Sequence, residues 1–269
     1  MTAATGTGAA RDSAAIVDAA LDSYLADFPD ARWQEYLALH RPRYRALVAS
    51  VADLIARLPK RPDGSRRILV VGPRFEVDLL HRVLPDLRID TLGLNEGLFP
   101  PGDGEQRVLF DLNDAYDEAR RPAIGPYGLI VMAEVLEHIH MPPSVVIGWI
   151  ASLLNPGGHL LIQTPNAVSL PNRLRMLFGR NPFQPLSADR AYPGHMREYT
   201  PSELVREGQA IGLEVAELRT ANYFASAKVY NRIYQRLERL LPKPLRAGIT
   251  IVYRAPASAR TTRRVPLQR

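Results

Sequence analysis

Short apolar runs alternate with segments of helical periodicity along the chain from Arg67 onwards. The runs have the length and β-branched content of buried strands, and they are Ile68–Val71, Thr91–Leu94, Arg107–Phe110, Leu129–Met132, His159–Gln163, Glu214–Leu218 and Ile249–Tyr253. Helices are predicted at Val77–Val83, between the fourth and fifth strands, at Ser202–Ala210 and at Lys228–Leu241. Strands that alternate with helices predict an α/β fold with a doubly wound, mainly parallel seven-stranded sheet.

The first part of the chain has a different pattern. Apolar residues recur at helical spacing from Ser13 to Leu58, with interruptions at Pro29 and Pro42 that predict two or three helices. The segment Pro59–Arg67 is polar and turn-rich, which marks a boundary. We therefore predict a disordered N-terminus (1–12), an N-terminal helical cap (13–60), an α/β domain (67–254) and a basic flexible tail (255–269).

Composition narrows the classes of function. The chain has 269 residues, 46% of them hydrophobic, and no cysteine, which excludes disulfides, thiolate metal sites and cysteine nucleophiles. Neither a signal peptide nor an apolar run of about 20 residues is visible, so we expect a cytoplasmic protein without a transmembrane segment. The sequence does not indicate the oligomeric state. The net charge is +6, and the tail after Tyr253 carries five arginines and no acid. We interpret that tail as a solvated terminus, with nucleic acid as the alternative partner.

The most informative stretch is Tyr127–Asn166, which predicts one β-α-β unit with a polar segment, Glu134–His138, at the carboxyl end of its first strand. Ligands of open parallel sheets bind at that end. The sequences EVLEH, LLNPGGHLLI and TPN, in that order, resemble the fourth strand, following helix and fifth strand of class I S-adenosyl-L-methionine-dependent methyltransferases. The resemblance covers about Arg67–Tyr253. It implies this cofactor, a helical cap before the domain and an antiparallel seventh strand at Ile249–Tyr253.

The resemblance assigns the turn after the first strand to the cofactor. Glycine permits a tight turn and a close approach of the backbone. In this chain Gly72 keeps that role, whereas Val70 stands at the family's acid position and Arg74 and Glu76 replace later glycines. Arg74 is then expected to contact the methionine carboxylate of the cofactor, and Glu76 to cap the following helix.

Further cofactor contacts are implied at the ends of the next strands. Asn95 stands at the position of the acid that binds the ribose hydroxyls, with Glu96 as an alternative partner. Asp111 matches the acid that meets the adenine amino group, and Leu112 the apolar residue that packs on the ring. Ala133 and Glu134 flank the cofactor at the fourth strand. The structural alternative for Asn95 and Asp111 is a pair of Asx turns.

Candidate catalytic residues follow the fourth and fifth strands. Glu134, Glu137 and His138 lie at i, i+3 and i+4, and His195 lies in the later segment GHMREYT. Together these four resemble the divalent-metal site of small-RNA 2′-O-methyltransferases, and the first three resemble ubiquinone-pathway O-methyltransferases. Two alternatives need no metal. His138 or His195 acts as a general base, which we prefer, or Glu137 and His138 order the loop. His140 is interpreted as a solvated loop residue.

The acceptor is expected to be chosen by the insertion Ala167–Gly194. Its apolar residues predict a small helix packed on the sheet edge, and its arginines are suited to an acidic substrate. The resemblance implies an O-methyltransferase for a small molecule, a glycan or a lipid-linked intermediate, because related chains that carry TPN, GRNP and HxRxYT often act on such acceptors. The alternatives are an RNA 2′-O-methyltransferase with a divalent metal, and a non-catalytic methyltransferase-like binding protein.

Overall fold

The computed structural model describes residues 5–28, 30–62, 64–94, 97–188, 194–223 and 240–257, without the side chains of residues 5–12 and 32. Asn95, Glu96, nearly all of the helix predicted at Lys228–Leu241 and residues 258–269 of the tail lie outside the described residues. The chain divides into two compact units. The helical unit comprises Met1–Arg66, Arg74–Leu87 and Asn222–Leu241, and the sheet unit comprises Arg67–Pro73, Arg88–Ala221 and Pro242–Arg269.

The helical unit contains three described helices: α1 (Thr5–Asp27), α2 (Ala31–Ala56) and α3 (Phe75–Val83). The predicted break near Pro29 separates α1 from α2, but the break predicted at Pro42 is wrong because α2 continues through it. Proline removes one N–H donor from a helix, and packing of α2 against α1 and α3 compensates for that loss. The first helix also begins at Thr5, within the segment 1–12 that is predicted to be disordered. Ala9 and Ala10 favour a helix in this segment, whereas Gly6 and Gly8 oppose it.

The aromatic ring of Phe75 is the centre of the helical unit. It is fully buried, at the start of α3. Aromatic side chains of α1, of the loop and of α2 surround it with ring centroids 5.2 to 6.4 Å away: Tyr24, Phe28, Trp33, Tyr36 and Tyr44. Aromatic pairs at this distance stabilise a core beyond simple burial. Phe75 therefore anchors the start of α3 in an aromatic core.

The sheet unit contains seven strands, as predicted. They are β1 (Arg66–Val71), β2 (Leu87–Gly93), β3 (Arg107–Leu109), β4 (Tyr127–Ala133), β5 (Leu154–Pro165), β6 (Glu214–Ala221) and β7 (Gly248–Arg254). Their order in the sheet is β3-β2-β1-β4-β5-β7-β6. Parallel pairing joins β1 to β4, β2 to β3 and β4 to β5, whereas β7 is antiparallel to both β5 and β6. The antiparallel seventh strand confirms that expectation and makes the sheet mixed.

Three further helices follow the central strands: α4 (Pro143–Ser152), α5 (Leu170–Leu177) and α6 (Pro201–Ala210). The start of α6 carries a capping box between Thr200 and Glu203, with proline at the first helical position. The sequence TPSE predicts this cap, and the structure confirms it. Nothing in the described part of the chain forms a helix with the length and apolar character needed to cross a membrane.

The edge of the sheet at which β1 and β4 begin is closed by a buried network, which we call the amino edge. Asp90 of β2 is 1% exposed and lies 2.7 Å from the guanidinium of Arg67. The same carboxylate accepts hydrogen bonds from the Tyr127 hydroxyl at 2.9 Å and from the backbone N–H of Gln106 at 2.8 Å. Burial and the neighbouring Asp90 raise the pKa of Tyr127, so its hydroxyl keeps its proton and donates it. This network stabilises the base of the sheet.

Candidate active site

The opposite edge of the sheet carries the predicted catalytic residues. At the end of β4 the chain leaves the sheet at Glu134, whose φ is +56°, a conformation that residues with a side chain rarely adopt. The backbone N–H of Glu134 still donates to the carbonyl of Gln163 on β5 at 2.8 Å. A short 3₁₀ turn, Leu136–His138, follows directly. This sharp turn places Glu137 and His138 beside the end of β5.

Glu137 anchors two neighbouring segments. Its side chain is fully buried and accepts a hydrogen bond from the Thr164 hydroxyl at 2.9 Å. Its backbone carbonyl accepts from the N–H groups of Met196 and Arg197 at 2.7 and 3.2 Å. The motifs EVLEH and GHMREYT, far apart in sequence, are thereby held together at the carboxyl edge.

The same contact brings the two predicted histidines together. Their ring centroids are 5.0 Å apart in an edge-to-face arrangement. His138 Nδ1 lies 2.8 Å from the carbonyl of Gly194, and His195 Nδ1 lies 2.9 Å from Oε1 of Glu198. A carbonyl and a carboxylate only accept hydrogen bonds, so each Nδ1 carries a proton, and in the neutral form of either ring the lone pair is on Nε2. We refer to Glu137, His138, His195 and Glu198 as the carboxyl-edge cluster.

Glu198 is a site residue that the sequence prediction missed. Its side chain is 8% exposed and that of His195 is 14% exposed. A second contact, from the Asn172 amide at 3.4 Å to Oε2, holds the carboxylate from the other side. The spacing HxxE within GHMRE is the signal that was available in the sequence, but it becomes informative only once the segment is known to face His138.

The structure selects three of the four predicted metal-ligand candidates. Ligand atoms of Glu137, His138 and His195 all lie within 4.8 Å of one another. Glu134 is outside this group, and it precedes the 3₁₀ turn that carries Glu137 and His138. His140 is exposed, in agreement with its interpretation as a loop residue.

Gly72, the predicted cofactor glycine, is required by the geometry of its turn. Its φ is +70°, and a Cβ at this position would lie 2.4 Å from Cγ2 of Val135. Its backbone N–H donates to the carbonyl of Leu92 at 2.8 Å. The ends of β1, β2 and β4 therefore approach closely at Gly72, and no larger residue fits without displacing Val135.

The remaining predicted cofactor residues of the sheet unit follow β3 and β4. Asp111 caps the 3₁₀ turn Leu112–Tyr116, since its Oδ1 accepts from the backbone and side-chain nitrogens of Asn113, both at 2.9 Å. One carboxylate oxygen of Asp111, Oδ1, therefore forms the Asx turn that the structural alternative predicts. Leu112 and Ala133 are 4% and 7% exposed, and Glu134 is half-buried.

Arg74 belongs to the helical unit. Its guanidinium lies over the ring of Tyr36, 5.7 Å from the centroid, and its backbone N–H donates to Oε1 of Glu76 at 2.8 Å. Glu76 therefore caps the start of α3, as its position predicts, and burial raises the pKa of this carboxyl. Burial and the positive charges of Arg43 and Arg74 lower the pKa of the nearby His40 to about 3, so His40 is neutral at physiological pH.

Asn166, the last residue of the TPN motif at the end of β5, has a structural role. Asn166 is 1% exposed. Its side-chain amide donates to the carbonyls of Pro244 and Arg246 at 2.8 and 2.7 Å, and its Oδ1 accepts from the backbone of Val168 at 3.2 Å. The motif thus fixes the point at which the insertion leaves the sheet.

Comparison with known proteins identifies the family. Residues 43–218 match the methyltransferase domain family, so the chain belongs to it, and the sheet order with its antiparallel β7 is the class I S-adenosylmethionine-dependent fold that the motifs predict. Similar curated proteins are the ubiquinone biosynthesis O-methyltransferases of Cupriavidus pinatubonensis, 30% identical over 42% of this chain and 43% of that protein, and of Aeromonas salmonicida, 33% identical over 36% and 40%. The chain thus aligns with less than half the length of these relatives.

A solved structure with the same fold is a proposed sarcosine dimethylglycine methyltransferase from Galdieria sulphuraria. It has a TM-score of 0.50 and 12% identity, and the superposition covers 81% of this chain and 87% of that one. At this identity the likeness concerns the fold alone.

Proposed function

We propose that this protein transfers a methyl group from S-adenosylmethionine to a hydroxyl oxygen of a small molecule, a glycan or a lipid-linked intermediate. The observation that supports the proposal is the carboxyl-edge cluster, in which the imidazoles of His138 and His195 lie 5.0 Å apart with their Nδ1 atoms hydrogen-bonded, at the carboxyl edge of a methyltransferase fold. The O-methyltransferase names of the curated relatives support transfer to oxygen.

The reaction requires a proton acceptor but no nucleophilic residue of the protein, because the acceptor oxygen is itself the nucleophile. Methyl transfer is an in-line displacement in which the acceptor oxygen forms a bond to the methyl carbon while the carbon–sulfur bond of the sulfonium breaks. A neutral hydroxyl must lose its proton, and Nε2 of His138 or His195 is suited to accept it. Glu198 fixes the tautomer of His195, and the Gly194 carbonyl fixes that of His138.

The cofactor is proposed to lie along the turn at Gly72 and the strand ends that follow. Backbone groups at Gly72 suit a polar ligand, because the glycine leaves the approach open. The second carboxylate oxygen of Asp111 is an acceptor for the adenine amino group, with Leu112 beside it. Ala133 and Glu134 complete this set. The roles of Arg74 toward the methionine carboxylate and of Asn95 toward the ribose remain predictions.

Two measurements test the proposal in sequence. A calorimetric titration with S-adenosylhomocysteine is expected to give micromolar binding at about one site per chain. Mass spectrometry then follows methyl transfer to a panel of phenolic, sugar and short RNA acceptors. Methylation of a hydroxyl of a phenol or sugar supports the proposal. If folded protein does not bind S-adenosylhomocysteine, the proposed methyltransferase activity is overturned. The result would favour a non-catalytic binding protein, an alternative suggested by Arg74 and Glu76 at positions where the family has glycine.

A metal-assisted reaction is the second candidate, and the 4.8 Å grouping of Glu137, His138 and His195 favours it. One carboxylate and two imidazoles fit Mn²⁺ or a similar ion, whose affinity for nitrogen ligands exceeds that of Mg²⁺. These three residues would hold the ion. Such an ion binds acceptor hydroxyls and lowers their pKa. Loss of activity on chelation, restored by Mn²⁺, would support this candidate, and RNA methylation under those conditions would favour the 2′-O-methyltransferase alternative.

A further inference from the structure

The segment after β5 was predicted to pack a small helix on the sheet edge, and the structure corrects that expectation. α5 contains no buried residue. We call residues 170–188 the α5 arm; its large apolar side chains are exposed to solvent. Their exposed fractions are 46% for Leu174, 46% for Met176, 75% for Leu177, 74% for Phe178, 40% for Phe183 and 66% for Leu186. Single exposed apolar residues are ordinary, whereas a contiguous group of this kind marks an interaction surface.

Polar contacts, rather than apolar packing, fix the base of the arm. The Asn172 amide donates to the carbonyls of Asn166 and Ala167, each at 3.3 Å. Nε of Arg173 donates to the carbonyl of Val168 at 2.8 Å. Asn166 itself is held by the segment that precedes β7. The arm is therefore positioned by hydrogen bonds at its root, and its apolar side chains remain available for contact.

The distribution of charge around the apolar side chains indicates the kind of partner. Leu170, Leu174 and Leu177 recur at i, i+4 and i+7, which places them on one face of α5. At about 100° per residue, Arg173 borders that face and Arg175 lies on the opposite, polar side of the helix. Arg180 follows the helix, and residues 167–188 contain neither aspartate nor glutamate. An apolar helix face combined with arginines on the remaining surface matches the chemistry of a bilayer interface that contains anionic lipid headgroups.

A second copy of the chain fits the same surface less well. In a two-fold symmetric contact each arm would meet its own counterpart. Arg173, Arg175 and Arg180 of the two copies would then approach one another, without an acid from residues 167–188 to compensate them. Like charges brought together at an interface oppose association.

We propose that the α5 arm is a docking surface for an anionic lipid bilayer, on which it inserts Leu177 and Phe178 among the acyl chains while its arginines contact the headgroups. This inference does not depend on the identity of the methyl acceptor, because its test measures binding to vesicles and not turnover. It gives the protein a peripheral attachment through an interfacial helix.

The test is co-sedimentation of the full chain with vesicles of phosphatidylcholine, with and without phosphatidylglycerol, at low and high salt. The unaltered protein is expected to bind the phosphatidylglycerol vesicles and to be released by salt. The double substitution Leu177→Asp/Phe178→Asp is expected to weaken binding at least about tenfold. The matched control is Leu109→Asp/Leu240→Asp, which alters leucines that are 58% and 80% exposed outside the arm, with the same change in charge.

A second pair of variants isolates the arginines. Arg175→Gln/Arg180→Gln, which leaves Arg173 at the root of the arm, is expected to weaken binding about thirtyfold at low salt. The control removes the same number of charges from exposed arginines elsewhere: Arg57 and Arg61. Circular dichroism checks that every variant is folded.

Three results would overturn the proposal. The first is an unaltered protein that ignores both kinds of vesicle. The second is equal weakening by the arm variants and their controls, which would assign the binding to net charge or to the basic tail. The third is concentration-dependent dimerisation that Leu177→Asp/Phe178→Asp abolishes in a protein that does not bind vesicles, because the occupant of the surface would then be a second copy.

Discussion

The two edges of the same sheet carry buried polar groups for opposite purposes. At the amino edge, Asp90 receives hydrogen bonds from a guanidinium, a phenol and a backbone N–H, so its acceptor capacity is used within the fold. At the carboxyl edge, hydrogen bonds to the histidines fix Nδ1 and thereby set the lone pair on Nε2. The amino-edge network stabilises the fold, whereas we propose that the carboxyl-edge hydrogen bonds orient Nε2 for proton transfer. Burial alone does not distinguish them, but the choice of bonded atom does.

The largest effect is expected from breaking the amino edge. Asp90→Ala leaves Arg67 and Tyr127 without their shared acceptor and should lower the free energy of unfolding by about 3–5 kcal/mol. Urea denaturation measures this change. Glu217→Ala, which breaks the exposed Arg219–Glu217 pair, is the control and should cost less than about 1 kcal/mol. Equal costs for the two variants would show that the amino edge is not a stabilising network.

The carboxyl edge should respond in turnover instead. We expect His138→Ala and His195→Ala each to be folded and to retain cofactor affinity, and at least one of them to lower kcat about a hundredfold or more by removing the proton acceptor. His140→Ala, in the exposed loop nearby, should leave kcat unchanged. The measurement is kcat with the acceptor found in the panel, beside a titration with S-adenosylhomocysteine. Full turnover in both variants would contradict a role for either imidazole as base.

The cofactor turn should show an intermediate effect. Gly72→Ala combines a strained positive φ with a contact 2.4 Å from Val135, and we expect cofactor binding to weaken about thirtyfold, equivalent to ~2 kcal/mol. Gly157→Ala is a matched control, because its φ is +74° and the added Cβ meets no atom within 4 Å. The titration separates the two: if both variants bind alike, close approach at Gly72 is not what the cofactor requires.

The smallest effect on turnover is expected from removal of a single hydrogen bond, the one between Glu198 and His195. Glu198→Ala removes the acceptor that fixes His195 and should lower kcat about tenfold, whereas Glu198→Gln, which keeps an acceptor oxygen, should recover most of it. Nitrogen NMR of the His195 ring reports the tautomer independently of activity. A ring that stays protonated on Nδ1 in Glu198→Ala would remove the positioning role from Glu198.

The sequence predicts those features that depend on local pattern. Strand alternation yields the seven-stranded sheet, and TPSE yields the cap of α6. It fails where tertiary packing decides: Pro42 is tolerated inside α2, and the apolar residues of α5 remain exposed. Periodicity shows that a helix has an apolar face, but it does not show what covers that face.

The candidate site is also only partly predictable from the sequence. His138 and His195 are identifiable as candidates from their motifs, yet their 5.0 Å separation depends on a segment that returns to the sheet after the insertion. Glu198 cannot be recognised as a neighbour of this pair until that fold of the chain is known. The cofactor-binding roles remain predictions, which rest on the match between these residues and the family's motif positions at the strand ends.

The attachment of the GHMRE segment has a consequence for how such a protein diversifies. Met196 and Arg197 are fastened through their backbone N–H groups to the carbonyl of Glu137. The side chain of Met196 is 40% exposed and takes no part in that attachment, whereas the side chain of Arg197 also pairs with Glu203 and lies over the Tyr199 ring. Substitutions at position 196 are therefore expected to alter the surface beside His195 without removing the backbone hydrogen bonds that hold the segment.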